Sequence, residues 1–336
     1  MALFITYDNK SLQDGIGAQA LRITGIFAIS RKYKINYIHS PIVRVAEEVA
    51  HNFHSTADSQ TLIHQVNDFF RFPDSMRKPK SNHLEIYLRQ PTVLRLLLIR
   101  LRSFFSLRDI TVKILFPFSI MDKSPASYKF SQNFLRIHNR EILEQHQSRA
   151  IVLHVRWGYG WMYTAPTNLR KKFIPAWYYL RIVEELLQQK FRGDFCDVHI
   201  HTDAIRQTFN WKPANKDVLS QYAQLHSLNE VAEIEIDGID LSKIFKSNSF
   251  RNYVIYYAAP FFETFLDMCN AQHLIMSCSA FSYLAGIINS NEVIYPMTHG
   301  HAKLRNWISS TELGVPLDKD DMCLEGSKDI CEGKHE

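Results

Sequence analysis

Residues 274–295 read LIMSCSAFSYLAGIINSNEVIY. Leu274 to Ser277 has the apolar run of a buried strand, and Ser277-Cys278-Ser279 interrupts it with small polar residues. Phe281 to Ile288 then reads as a helix, and Val293 to Tyr295 returns to strand. The same grammar repeats upstream. A helix is predicted from about Tyr256 to Ala271. Ala232, Ile234 and Ile236 alternate with Glu233 and Glu235, and Cys196, Val198 and Ile200 alternate with Asp197, His199 and His201, as in half-buried strands. A helix after Pro175 carries Trp177, Leu180, Val183, Leu186 and Leu187 on one side, and Ile151 to Val155 reads as the strand before it. Strands alternating with crossover helices imply a parallel sheet. Residues 150–316 are therefore expected to form a doubly wound α/β lobe.

The N-terminal part opens in the same way. Leu3 to Tyr7 is a strand, Asp14-Gly15-Ile16-Gly17-Ala18-Gln19 a loop, and Leu21, Ile23, Ile26, Phe27 and Ile29 mark a helix before a second strand at Ile35 to His39. Ile110 to Phe116 is strand-like, and Phe130, Phe134, Ile137 and Leu143 mark a helix running to about His146. Residues 51–90 give no clear period. With 336 residues, the chain exceeds the roughly 250 to 300 at which single cores stop growing. The expected fold class is α/β with two Rossmann-like lobes, residues 1–149 and 150–316, followed by a loose tail at 317–336.

Composition narrows the function. A hydrophobic share of 46% with 22% charged residues is that of a globular protein. No secretory signal is read at the start, and the apolar patch Val93 to Leu101 carries Arg95 and Arg100 and is too short to span a bilayer. The five cysteines have no paired or zinc-like spacing, which favours a reduced, cytoplasmic setting. The formal charge of +5 suits a polyanionic small ligand or an anionic membrane surface. No nucleic-acid module is visible.

Ligands of doubly wound lobes bind beyond the carboxyl ends of the strands. Three such ends stand out. His154-Val155-Arg156-Trp157-Gly158-Tyr159-Gly160 offers a guanidinium fork beside glycines, suited to a diphosphate, although a surface arginine in a turn would look the same. His201-Thr202-Asp203 places a hydroxyl and an acid where a crossover begins, as a plain helix cap also would. Ser277-Cys278-Ser279-Ala280-Phe281-Ser282 brings hydroxyls to a helix N-terminus, an anion site without net charge or simply a serine cap. His199 with His201, His51 with His54 and His299 with His301 lack a third ligand at sensible spacing, so no metal is expected.

These residues resemble the α-1,2-fucosyltransferases and their α-1,6 and protein O-fucosyltransferase relatives. The stretch from His154 resembles that family's H-x-R-R-G-D motif, and His201-Thr202-Asp203 occupies the place of its F-S-D-D segment. Asp267 through Ser282 resembles L-M-s-x-C-x-h-x-I-x-s-N-S-S-F-S, and Asp14 to Gln19 resembles G-G-L-G-N-Q. The resemblance implies a GT-B glycosyltransferase with a cleft between its lobes, the acceptor on the N-terminal side and GDP-fucose on the C-terminal side. It assigns guanine and diphosphate to His154 and Arg156, phosphates to Ser279 and Ser282, and further donor contacts to Asp203 and Glu263. Two departures stand in the motif: Trp157 replaces the second arginine and Tyr159 the acid.

The implied reaction is inverting transfer of fucose to a glycan hydroxyl, with no metal or other cofactor. Arg156 would stabilise the charge gathering on the leaving diphosphate, and Asp14 is the candidate base. The alternatives are a same-fold transferase using another nucleotide sugar, a non-catalytic glycan-binding protein with a degraded donor site, and a dehydrogenase. The last lacks a ribose-binding acid at the second strand, where His39 and Ser40 stand. Residues 92–108 join apolar density to four arginines. They are read first as a core helix with snorkelling arginines, and otherwise as an interfacial helix giving peripheral membrane contact.

Overall fold

The computed structural model describes residues 1–10, 14–45, 56–156, 174, 176–191, 196–202, 253–257 and 259–317. The chain divides into two compact units, one of residues 1–145 with 301–305, the other of residues 146–300 with 306 onward.

The first unit holds a parallel sheet in the order β2-β1-β4-β3, made of β1 (Leu3–Tyr7), β2 (Asn36–Tyr37), β3 (Leu84–Leu88) and β4 (Ile110–Ile114). All five residues of β1 are buried, as expected of a central parallel strand covered on both faces. The helix α1 (Ile16–Tyr33) is buried along almost its whole length to Ser30, and it ends where Lys34 turns left-handed at φ 52° and donates its N–H to Ser30 O. Gly25 sits where a Cβ would stand 2.9 Å from Pro117 Cγ, so its missing side chain allows the close approach.

Two elements occupy the stretch without period: α2 (Thr56–Phe69) and β3. β3 is an edge strand with Leu84 and Tyr87 exposed, so it never alternates cleanly. After α3 (Val93–Phe105) and the short α4 (Phe118–Met121), the single helix expected up to His146 is two, α5 (Tyr128–His138) and α6 (Arg140–Gln145). The break is at Asn139, whose buried amide donates to Phe69 O and Leu135 O at 2.9 and 3.0 Å.

α3 corrects a second expectation. Thr92 caps it by accepting from Arg95 N–H at 3.2 Å, but only Leu96 and Ser103 are buried. Its other leucines and both phenylalanines face outward, so it is not a core helix with snorkelling arginines.

The second unit carries six parallel strands in the order β10-β9-β8-β5-β6-β7. They are β5 (Ile151–Val155), β6 (Val198–Thr202), β7 (Tyr253–Tyr257), β8 (His273–Ile275), β9 (Glu292–Tyr295) and β10 (Ile308–Ser309). One face, with Ile151, Leu153, Val155, Val198 and Ile200, packs on Tyr178, Tyr179, Ile182, Val183 and Leu186 of α7 (Ala176–Lys190). The helices α8 (Phe261–Asn270) and α9 (Ala280–Ile288) follow β7 and β8.

The helix expected from Tyr256 starts later, because Tyr253–Tyr257 is a strand rich in aromatic and β-branched residues and Pro260 stands at the N-cap of α8. The strand expected at Ala232 to Ile236 and residues 318–336 lie outside the described residues. Asn289 closes the C-terminus of α9: its buried amide donates to Met268 O and Ala271 O, each at 2.9 Å.

Candidate functional site

Counted from β5, the six-stranded sheet has the order 3-2-1-4-5-6, in which the chain leaves β5 toward β6 on one side and β8 toward β9 on the other. The strand order reverses between β5 and β8. At such a reversal the connecting segments diverge and leave a crevice beyond the carboxyl ends of the two strands.

The side chains at that point meet. His154, the fourth residue of β5, shares a hydrogen bond of 2.7 Å between Nδ1 and Ser277 Oγ, just past β8. Arg156 donates from a guanidinium nitrogen to Ser279 Oγ at 3.3 Å. Ser279 is the N-cap of α9 and its Oγ also accepts from Phe281 N–H at 3.2 Å. A guanidinium and a helix N-terminus thus converge on one hydroxyl, which concentrates positive potential there. The Phe281 ring stands edge-on to His154 at 5.5 Å and packs on Phe261 and Phe265 of α8.

His154 is 6% exposed. Burial, reinforced by the charges of Arg156 and His201, pushes its imidazole down to about 3, so the ring is neutral at pH 7. A neutral imidazole can donate from one nitrogen and accept at the other, which suits a base edge or a ribose better than a phosphate.

Beneath this layer lies a network that the sequence reading does not find. Asp267 of α8 is 5% exposed and bonds His201 Nε2 at 2.9 Å through one oxygen and His146 Nε2 at 2.6 Å through the other. Burial alone would raise its carboxyl, but the hydrogen bonds and charges of His201 and His146 bring it down to about 2. His201 also bonds Thr264 Oγ1 at 3.2 Å and stacks on Tyr256 at 4.6 Å. The signal for it in the sequence is an aspartate lodged among the apolar residues Phe265, Leu266 and Met268 of one helix, together with histidines that alternate along a strand.

The structure brings His154, Arg156, Ser279 and Ser282 together in the second unit, with different postures. Ser282 is fully buried and donates to the carbonyls of Ser277 and Ser279 at 3.1 and 3.2 Å, so it shapes the loop from within. Glu263 is exposed in the first turn of α8. Asp203, Trp157 and Tyr159 lie outside the described residues. Asp14 belongs to the first unit, where one oxygen accepts from Gly15 N–H at 2.7 Å and the other pairs with the buried Arg22. The Gln19 side chain ties this loop by donating to Asp14 O and Arg44 O, each at 2.7 Å. Among the described residues no three His, Cys, Asp or Glu side chains are grouped as metal ligands would be.

No protein-family model matches the chain. None of the curated proteins matches it in sequence either. Among solved structures it is similar to E. coli heptosyltransferase WaaC with ADP, at 10% identity over 99% of both chains and a TM-score of 0.38. It is similar to POFUT1 in complex with GDP-fucose at 8% identity, covering 92% of this chain and 97% of that one, with a TM-score of 0.39. It is also similar to NodZ alpha-1,6-fucosyltransferase co-crystallized with GDP, at 11% identity over 85% and 91% of the two chains and a TM-score of 0.31. Likeness this distant carries no chemistry from one protein to another. The two parallel sheets stand on the strand pairing of this chain itself.

Proposed function

We propose that the protein is a glycosyltransferase that binds a nucleotide-diphosphate sugar at the β5–β8 strand ends of its second unit. The observation that carries this reading is the convergence of Arg156 and the α9 N-terminus on Ser279, next to the neutral, buried His154. A diphosphate would meet Arg156 and the Ser279 cap. The nucleoside would meet His154, with Glu263 and Asp203 as further contacts. Ser277 and Ser282 hold the loop in shape.

The motif resemblance makes GDP-fucose the donor of choice and a glycan hydroxyl the acceptor. The acceptor oxygen attacks the anomeric carbon as its proton passes to a general base, the bond from that carbon to the diphosphate breaks, and GDP leaves with inversion. Negative charge grows on the diphosphate in the transition state, so donors fixed there lower the barrier without rearranging. Asp14 remains the candidate for that base: Gly15 N–H and Arg22 each meet one of its oxygens and leave lone pairs on both. Trp157, standing where the family has its second arginine, favours testing other sugar nucleotides beside GDP-fucose.

The experiment is thermal stabilisation of the protein by GDP, UDP, ADP, CMP and NAD, with Arg156→Ala in parallel. A nucleotide at a hundred times its Kd adds about 2.7 kcal/mol of stability. Stabilisation by GDP that Arg156→Ala abolishes supports the reading. Stabilisation by another sugar-carrying nucleotide moves the donor, and NAD alone or no response to any of them overturns it.

A further inference from the structure

Among the described residues of the first unit, the exposed face of α3 is an apolar feature that the proposed donor site leaves unused. Helical spacing of 100° per residue puts Leu94, Leu97, Leu98, Leu101, Phe104 and Phe105 into one sector about 120° wide. All six are exposed, Leu94 at 67% and Phe105 at 82%, and Leu107 just beyond is exposed as well. The buried Leu96 and Ser103 lie on the opposite side of the helix. A soluble surface rarely leaves so continuous an apolar stripe bare without a partner for it.

Charge says what covers it. Residues 92–108 contain four arginines and no acid. Arg95 and Arg102, seven positions apart, border the stripe on one side, and Arg108 follows the helix; all three are exposed. Arg100 donates to Tyr33 O at 2.7 Å and so brings α3 to the end of α1, where Arg31, Lys32 and Lys34 are exposed. Asp109, next in sequence, is fully buried and accepts from Ala2 and Lys80 N–H, so it offers no negative charge to the outside. A second copy of the chain set on this face by two-fold symmetry would bring these cations against themselves. An anionic lipid surface takes both parts: the Leu and Phe side chains enter the acyl boundary, and the arginines meet phosphate groups.

We infer that α3 is an interfacial anchor that docks the first unit on an anionic membrane surface. The helix lies along the surface with its 13 residues in the interface. Among the described residues no helix is long and apolar enough to cross a membrane.

The test is co-sedimentation of the full chain with phosphatidylcholine vesicles, with and without phosphatidylglycerol, at low and high salt. Binding to the anionic vesicles at low salt, weakened by salt, is expected. Leu98→Asp with Phe105→Asp should weaken it about a hundredfold, and Arg95→Glu with Arg102→Glu about tenfold or more. Circular dichroism melts should stay unchanged, since all four side chains are exposed. A Phe104→Trp variant reads insertion directly: the emission it adds over wild type should shift to the blue on vesicles and be quenched by brominated lipids. No binding at low salt, equal binding by the aspartate variant, or no shift in the emission added by Phe104→Trp overturns the inference. A concentration-dependent dimer that the aspartate variant abolishes, with no vesicle binding, overturns it in favour of a second copy. Arg156→Ala should bind vesicles like the wild type, so loss of the donor site and loss of the anchor are read separately.

Discussion

Replacing His154 with Gln should remove a measurable share of the acid sensitivity of the fold. His154 is held near 3 against an ordinary 6.5. Its folded value is below its unfolded one, so between these limits the unfolded chain binds the proton and stability falls as pH falls. With 1.36 kcal/mol per pH unit, the loss between pH 7.5 and pH 5 is about 2 kcal/mol, and it reaches about 3 kcal/mol by pH 4. Above pH 7 this contribution is fully present. The chain carries other histidines, so the quantity to measure is the difference between wild type and His154→Gln in urea melts across pH 4 to 8. The variant should be less stable than wild type at pH 8, having lost its bond to Ser277, and should lose stability less steeply toward pH 5. Parallel curves would refute the assignment of a buried, neutral imidazole. So would an NMR titration of the His154 ring with a midpoint above 6.

Three other substitutions probe the second layer and the packing. Asp267→Asn should cost about 2 to 3 kcal/mol at pH 7, since a carboxyl held near 2 rather than 3.8 contributes stability above pH 4 that is lost as pH falls toward 2; the gap from wild type in denaturant melts should close over that interval. Gly25→Ala should cost about 1 to 3 kcal/mol, because its Cβ would press on the rigid ring of Pro117; a melt at or above the wild-type temperature would contradict this packing. Asn289→Ala should cost about 2 kcal/mol or more by leaving the buried carbonyl of Met268 without its side-chain donor and that of Ala271 with Asn291 alone, and Asn289→Asp should fail to restore it, as its carboxylate offers no N–H.

Much of the second unit is legible in the chain. Apolar runs such as Ile151 to Val155 and Val293 to Tyr295 are strands buried on both faces, and their length and flanking polar residues separate them from helices. The first sheet is harder to read because β3 is an edge strand, and an edge strand with Leu84 and Tyr87 in solvent has no alternation to follow. Tyr253–Tyr257 merges in sequence with the helix that follows, since apolar residues on both sides of Pro260 satisfy either period.

At the site, the strand-end rule points to His154, Arg156 and Ser279 from spacing alone, because loops after parallel strands have a fixed place in a doubly wound sheet. Pairings across more than sixty residues, such as Asp267 with His201, depend on how a helix is rotated on its sheet, and a single sequence does not encode that visibly. α3 escapes the sequence for a related reason. Periodicity shows that a helix has an apolar face, not whether anything covers it.

Residues 301–305 belong to the first unit although both neighbours in the chain belong to the second. His301 stacks on Phe118 at 4.2 Å, and the backbone N–H of Ala302 donates to Asp122 at 3.2 Å. Each unit is therefore an incomplete piece of gene: cutting at residue 145 would strip the first of a strap it uses and leave that strap dangling from the second. A chimera that took the second unit from another chain would have to bring a strap that matches Phe118 and Asp122 of the first.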